Sequence, residues 1–152
     1  MSVLNTIQTD CKTQLEANSF FSASPVIPVL IELRLDILSE IERRLARLGL
    51  AVVIATPRLS TSSHTGKLLW DRLEVDVSVL ENVVINRSAS GIGQPAPLVA
   101  EAAAFALHGF EPSSSGYKLY CSAVTPESDA QILIYNVRFF TGAIAAQPSR
   151  LT

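Results

Sequence analysis

Residues Trp70 to Asn86 read Trp-Asp-Arg-Leu-Glu-Val-Asp-Val-Ser-Val-Leu-Glu-Asn-Val-Val-Ile-Asn. Leu73, Val75, Val77 and Val79 alternate with Arg72, Glu74, Asp76 and Ser78. Side chains two apart on a strand share a face, so this stretch predicts a long strand with one apolar face and one wet face. A strand of a parallel sheet, covered on both sides, would instead be apolar throughout, so the alternation sets the fold class: α+β, with a mostly antiparallel sheet. Leu80 interrupts the alternation and Glu81-Asn82 follow. The pattern predicts a bulge or bend there before the strand resumes at Val83 and Ile85.

Upstream, Val3 or Leu4, Ile7, Cys11 and Leu15 recur every three to four residues, which predicts a helix ending near Asn18. Pro25 and Pro28 make Ser22 to Pro28 a connector to a short strand at Val29 to Glu32. Leu38, Ile41, Leu45 and Leu48 form the stripe of a second helix closed by Gly49, with a start either at Asp36 or nearer Pro28. Leu50 to Thr56 is an apolar run ended by Pro57, as in a covered strand. Arg58 to Gly66 is the most polar stretch and reads as a loop and a candidate contact arm.

Downstream, Arg87 to Gln94 is a Ser- and Gly-rich loop. Pro95 opens an Ala-rich helix carrying Leu98, Val99, Ala102, Phe105 and Leu107 and ended by Gly109. Tyr117 to Val124 and Gln131 to Thr141 read as a closing hairpin joined by Thr125 to Ala130. The element order is α-α-β-β-α-β-β. Residues 1–141 are expected to form a single domain and Gly142 to Thr152 a C-terminal tail that docks on a neighbour or stays extended.

A chain of 152 residues is long enough to bury roughly 70% of its unfolded surface in one core. Charged residues are only 17% of it and hydrophobic ones 48%, leaving few charges to cover the exterior. Some apolar surface is therefore expected against another subunit. The net charge of −2, with basic residues dispersed apart from Arg43, Arg44 and Arg47, argues against sequence-specific nucleic-acid binding. Those three arginines alternate with Ile41, Leu45 and Leu48, as a solvated helix face does. No apolar run approaches a membrane span, and the N-terminus has no basic segment before an apolar one, so no membrane partner and a cytoplasmic site of synthesis are expected. Cys11 and Cys121 lie in no metal-ligand spacing and read as free thiols.

The residues for catalysis are sparse. His64 lies in the polar loop and His108 beside Gly109, where a helix C-terminus favours a cation; neither neighbours a nucleophile in a recognisable motif. Gly91-Ile92-Gly93-Gln94-Pro95-Ala96 matches a relaxed phosphate-binding turn between a strand and a helix. A nucleotide-binding protein or small enzyme using Gly91 to Gly93 is therefore the alternative of another class. Against it, the preceding strand is half-exposed rather than parallel and buried, and Pro95 lacks an N–H. Glu74 with Asp76, and Glu127 with Asp129, are carboxylate pairs that read more simply as solvent-facing charges, the first suited to cross-strand pairing or the wall of a shared lumen. No catalytic residue, metal ligand or cofactor is expected.

The N-terminal helix, the Leu-Glu-Val-Asp-Val-Ser-Val strand running into Val-Val-Ile-Asn-Arg-Ser, the proline-started Ala-rich helix and the closing Ile-Leu-Ile-Tyr-Asn-Val-Arg-Phe-Phe strand together resemble bacteriophage tail-terminator or tail-completion proteins. The resemblance is architectural and covers Trp70 to Phe140, about half of the chain. It implies a virion structural protein, not an enzyme, without cofactors. Copies would assemble as a ring, usually of six, at the head-proximal end of the tail in the bacterial host cytoplasm, joining the tail tube to neck proteins. The helical stripe from Leu35 to Leu48 departs from the leanest members and keeps another neck, tube or baseplate role open. A host adaptor binding one protein through its hydrophobic helix face is a third reading. In the ring, strand edges such as those of the closing hairpin would pair with another copy. The loops Arg58 to Lys67 and Arg87 to Gln94 would face axial partners, with Arg58, His64, Lys67 and Arg87 as contact candidates.

Overall fold

The structure, a computed structural model, describes residues 2–32, 36–60, 72–112, 118–128 and 131–141. Helix α1 (Val3–Ala17) starts where the Ser2 side chain accepts the Asn5 N–H at 3.1 Å, satisfying one of the donors a helix start leaves open. It buries Ile7, Gln8, Cys11 and Leu15. Asn18 ends α1 and caps the short α2 (Ser19–Ser22), its Oδ1 accepting the Phe20 N–H at 2.9 Å. Strand β1 (Val29–Ile31) leads to α3 (Ile37–Leu48), which begins at Asp36, the later of the two expected starts. Gly49, at φ +77°, turns α3 directly into β2 (Leu50–Ile54).

The sheet runs β1-β2-β4-β6-β5, with β4 as Arg72–Glu81, β5 as Tyr120–Ser128 and β6 as Leu133–Phe140. Only β1 and β2 are parallel, and α3 supplies the crossover such a pair requires. The fold class is α+β, as the alternation implies. Leu73, Val75, Val77 and Val79 are fully buried, and with Val52, Ile54, Val137 and Phe139 they form the apolar face of the sheet. Against it lie α1 and α5 (Ala96–Leu107), the latter through Ala96, Val99, Ala100, Ala103 and Leu107. Alanines at that contact let a helix backbone approach the sheet closely, which accounts for the Ala-rich composition of α5.

Three expectations change. Arg58 to Gly66 is not wholly loop: Arg58–Ser60 form β3, which pairs antiparallel with the first residues of β4. The strand does not resume at Val83. Residues Val83–Asn86 are a short helix, α4, because the Asn82 side chain accepts the Ile85 N–H and the Asn82 N–H bonds to the Gly49 carbonyl, turning the chain out of the sheet. The hairpin loop is shorter than its composition suggests, since Thr125, Pro126 and Glu127 belong to β5. On α5, Leu98 and Phe105 face away from the core. Tyr117, Asp129, Ala130 and the tail from Gly142 lie outside the described residues.

Gly49 is the tightest point of the chain. A Cβ there would collide with the backbone of Asn86, and its positive φ already disfavours other residues. Gly109 shares the φ of +77° but has open space around it. Gly49→Ala is expected to lower the unfolding free energy by about 3 kcal/mol and Gly109→Ala by about 1 kcal/mol, measured by urea denaturation.

Candidate functional site

Among the described residues, three surfaces gather polar or exposed groups. The first is the turn Gly91-Ile92-Gly93 before α5. The Glu81 side chain, fully buried at the end of β4, accepts the Ala96 N–H at 2.9 Å, the Asn86 amide at 2.7 Å and the Arg87 Nε–H at 3.4 Å. The Gly93 N–H goes to both Oδ1 and the carbonyl of Asn86, each at 2.9 Å, and the Ile92 N–H to the Leu48 carbonyl at 3.1 Å. The donors that would cradle a phosphate are therefore spent inside the protein, and a carboxylate occupies the helix start where an anion would sit. The glycine pattern has a packing origin as well: a Cβ at Gly91 would strike the carbonyls of Ile85 and Asn86.

The second surface is the open face of the sheet. Register sets Arg58 opposite Glu74 and Asp76 opposite Arg138. One Arg58 nitrogen donates to Glu74 at 2.8 Å and Asp76 at 3.2 Å, Arg138 Nε donates to Asp76 at 3.0 Å, and Arg72 Nε lies 2.9 Å from Glu74. Arg72 also stacks over the Phe140 ring, 5.1 Å from its centre. Further along, Ser78 donates to Asn136, which donates to Glu127. The expected carboxylate pair Glu74 and Asp76 is thus held by three arginines in a cross-strand ladder. Asp76 also holds the Arg138 guanidinium above its ordinary pKa. Of the expected contact candidates, Arg58 is tied into this ladder, Arg87 lies beside Glu81 with half its side chain exposed, and His64 and Lys67 fall outside the described residues. The geometry does not gather Arg58 and Arg87 at one site.

The third surface is the outer side of α5 with the adjoining edge of β5. Leu98, Glu101, Phe105 and His108 are exposed on one stripe of the helix, Phe105 to 84%. His108 does more than end a helix: its Nδ1 accepts the Cys121 N–H at 3.1 Å, and its ring meets Tyr120 edge-on. That bond places the Cys121 N–H on the side of β5 away from β6. After the register shift at Ser122, Val124 and Pro126 are the residues whose backbone points outward, and proline has no N–H. Cover by His108, a bulge and Pro126 are three ways of blunting a strand edge. The β5 edge that the closing hairpin is expected to offer another copy is shortened in this way, with Val124 as its outward-facing donor.

Among the described residues no group of three or more His, Cys, Asp and Glu is placed to hold a metal, and no helix is long and apolar enough to cross a membrane. Cys11 is buried, which with Asp10 nearby pushes its thiol up to about 12. Cys121 is half-buried, and its pKa is raised by burial alone, with the Ala123 carbonyl interaction opposing.

The described residues form a mostly antiparallel sheet with α1 and α5 on one face, α3 packed on β2, an arginine–carboxylate ladder across β3, β4 and β6, and an apolar stripe of α5 turned outward. No family model matches the chain, and no curated protein matches its sequence. Solved structures do match. A chain of the virion of a native gene transfer agent (GTA) particle superposes with TM-score 0.61 at 15% identity, over 94% of this chain and 98% of that one. A second solved chain superposes with TM-score 0.56 at 12% identity, over 93% of this chain and 96% of that one. At such identity these likenesses establish a shared fold spanning nearly the whole of each chain.

Reactivity follows from the two thiols. At pH 8 a disulfide reagent such as DTNB should titrate one thiol per native chain, Cys121, and two after denaturation. Fast reaction of both in the native protein would contradict the burial of Cys11.

Proposed function

We propose that this protein is a structural component of a phage or phage-like virion, a tail terminator or tail-completion protein. It forms a homo-oligomeric ring, six copies in the reading the resemblance supports, at the head-proximal end of the tail and joins the tube to neck proteins. The observation that carries this reading is the end-to-end likeness in fold to a chain of a gene transfer agent virion. The coverage of 98% of that chain leaves little of it outside the shared fold.

Physical features of the chain support the same reading. A ring needs heterologous contacts in which one surface meets a different one on the next copy. The α5 stripe of Leu98 and Phe105 is a fitting first surface, because an 84% exposed phenylalanine beside a second exposed leucine is costly to leave in water. The ionic face of the sheet, with arginines on its outer rim, suits a solvent-filled lumen or a polar neighbour. Arg58, His64, Lys67 and Arg87 remain proposed contacts with axial partners.

In this account the purified chain runs far above 16.4 kDa by light scattering, in steps set by the ring, and negative-stain images show closed rings. Phe105→Glu should shift the population to monomer by tenfold or more in dissociation constant while leaving the thermal midpoint of the monomer within a few degrees. A wild-type chain that stays monomeric at high micromolar concentration, and assembles neither on tail tubes nor alone, would refute the proposal.

A further inference from the structure

The sheet has a second outer edge, at β1, and it differs in kind from the β5 edge. Val52 N–H bonds to the Pro28 carbonyl and Glu32 N–H to the Ile54 carbonyl, each at 3.0 Å. Residues 28, 30 and 32 therefore face β2, and Val29 and Ile31 direct their N–H and C=O groups away from it. No described strand pairs with that side. The edge opens into a groove of about 450 Å³ between α1 and α3, with Val29, Ile31, Ile37 and Leu48 as its apolar lining. On its rim Lys12 pairs with Glu16, and Arg44 with Glu40. The charges are thus matched in place, and the floor is left to main-chain pairing and apolar contact.

We propose that this groove receives the C-terminal segment of a neighbouring copy, with residues 143–147 added as a strand beside β1. The inference rests on the oligomeric reading above. Gly142-Ala-Ile-Ala-Ala-Gln-Pro148 is uncharged, presents small side chains with a single large anchor, Ile144, and is bounded by a glycine and a proline. That is the composition a short strand needs to lie between two helices.

The point of departure favours a neighbour over the same chain. Thr141 is pinned to the first residues of β4, its N–H to the Leu73 carbonyl and its Oγ1 accepting the Leu73 N–H, both at 3.0 Å. From β6 to a slot beyond β1 is four strand spacings, roughly 20 Å. Gly142 alone separates Thr141 from residue 143, a span of about 7 Å, so within one chain the segment falls short of that slot. A longer route within one chain would also cross the β2–β3 and β1–α3 connections at the same end of the sheet, an arrangement that folds avoid. In a ring the segment leaves one copy and meets the next without crossing either.

The test uses full-length chains carrying Cys121→Ser, with buried Cys11 left in place. Ile31→Cys is added to one and Ile144→Cys to the other. After the two are mixed, co-assembled and treated with a short bis-maleimide, a cross-linked dimer approaching about half of the protein, the ceiling for random mixing around a ring, is expected on a denaturing gel. A chain ended after Thr141 should lose at least tenfold in assembly affinity with its monomer melting point unchanged. Rings that form without the cross-link and survive truncation would overturn the tail contact and leave the ring reading standing. A doubly substituted chain that cross-links only to itself would overturn the exchange between copies. A full-length chain that never leaves the monomer would overturn both.

Discussion

The carboxylate of Glu81 sits out of water where β4 ends, and a buried carboxylate without partners would cost several kcal/mol. Its partners come from separate pieces of chain: the Asn86 amide of α4, the first N–H of α5 and the Arg87 guanidinium. Asn86 then holds Gly93 and the Gln94 carbonyl, and its backbone packs on Gly49 so closely that no side chain fits between. One charged group therefore fixes where β4 stops, how the chain turns, where α5 begins, and how the α3–β2 corner meets that turn. It also faces the positive end of the α5 dipole, so the charge is compensated by geometry as well as by contacts.

The placement of α5 has consequences on both of its sides. Its alanine face lies on the sheet, so the larger side chains Leu98 and Phe105 are turned outward. Across β3, β4 and β6 the opposite face of the sheet carries arginines and carboxylates in matched pairs, whereas at β2 Ala51 and Val53 on that face are buried. The β5 edge is covered by His108 and broken by Pro126, whereas the β1 edge remains unpaired at the bottom of an apolar groove. Such a molecule keeps uncontrolled sheet growth in check at one edge and leaves specific surfaces for contact, a combination that suits an assembling scaffold.

Much of this was legible in the residues. The alternation from Leu73 to Val79 located the central strand and its buried face, because period two survives in any half-covered strand. The stripe from Leu38 to Leu48 with Gly49 marked α3 for a similar reason. Val83 to Asn86 reads as strand in the sequence because four consecutive residues rich in Val and Ile have no period, and the deciding contacts, Asn82 to Gly49 and Asn86 to Glu81, are tertiary. Strand β3 was too short and polar to announce itself, and its pairing draws on the Arg58 ladder. The arginine partners of Asp76 come from Arg58 and from Arg138, which is 62 residues away, and such pairing needs the register. The role of His108 was hidden for the same reason, since its partner is a backbone N–H on another element.

In the proposed function this chain is built into a particle at one end of a tail. The most direct test is a cryo-electron microscopy reconstruction of particles made in cells that express the chain. The account predicts a ring of density fitting this fold between the tail tube and the neck, and tails of uncontrolled length or without heads when the gene is deleted. Complete particles that lack such density, and that form equally well without the chain, would contradict it.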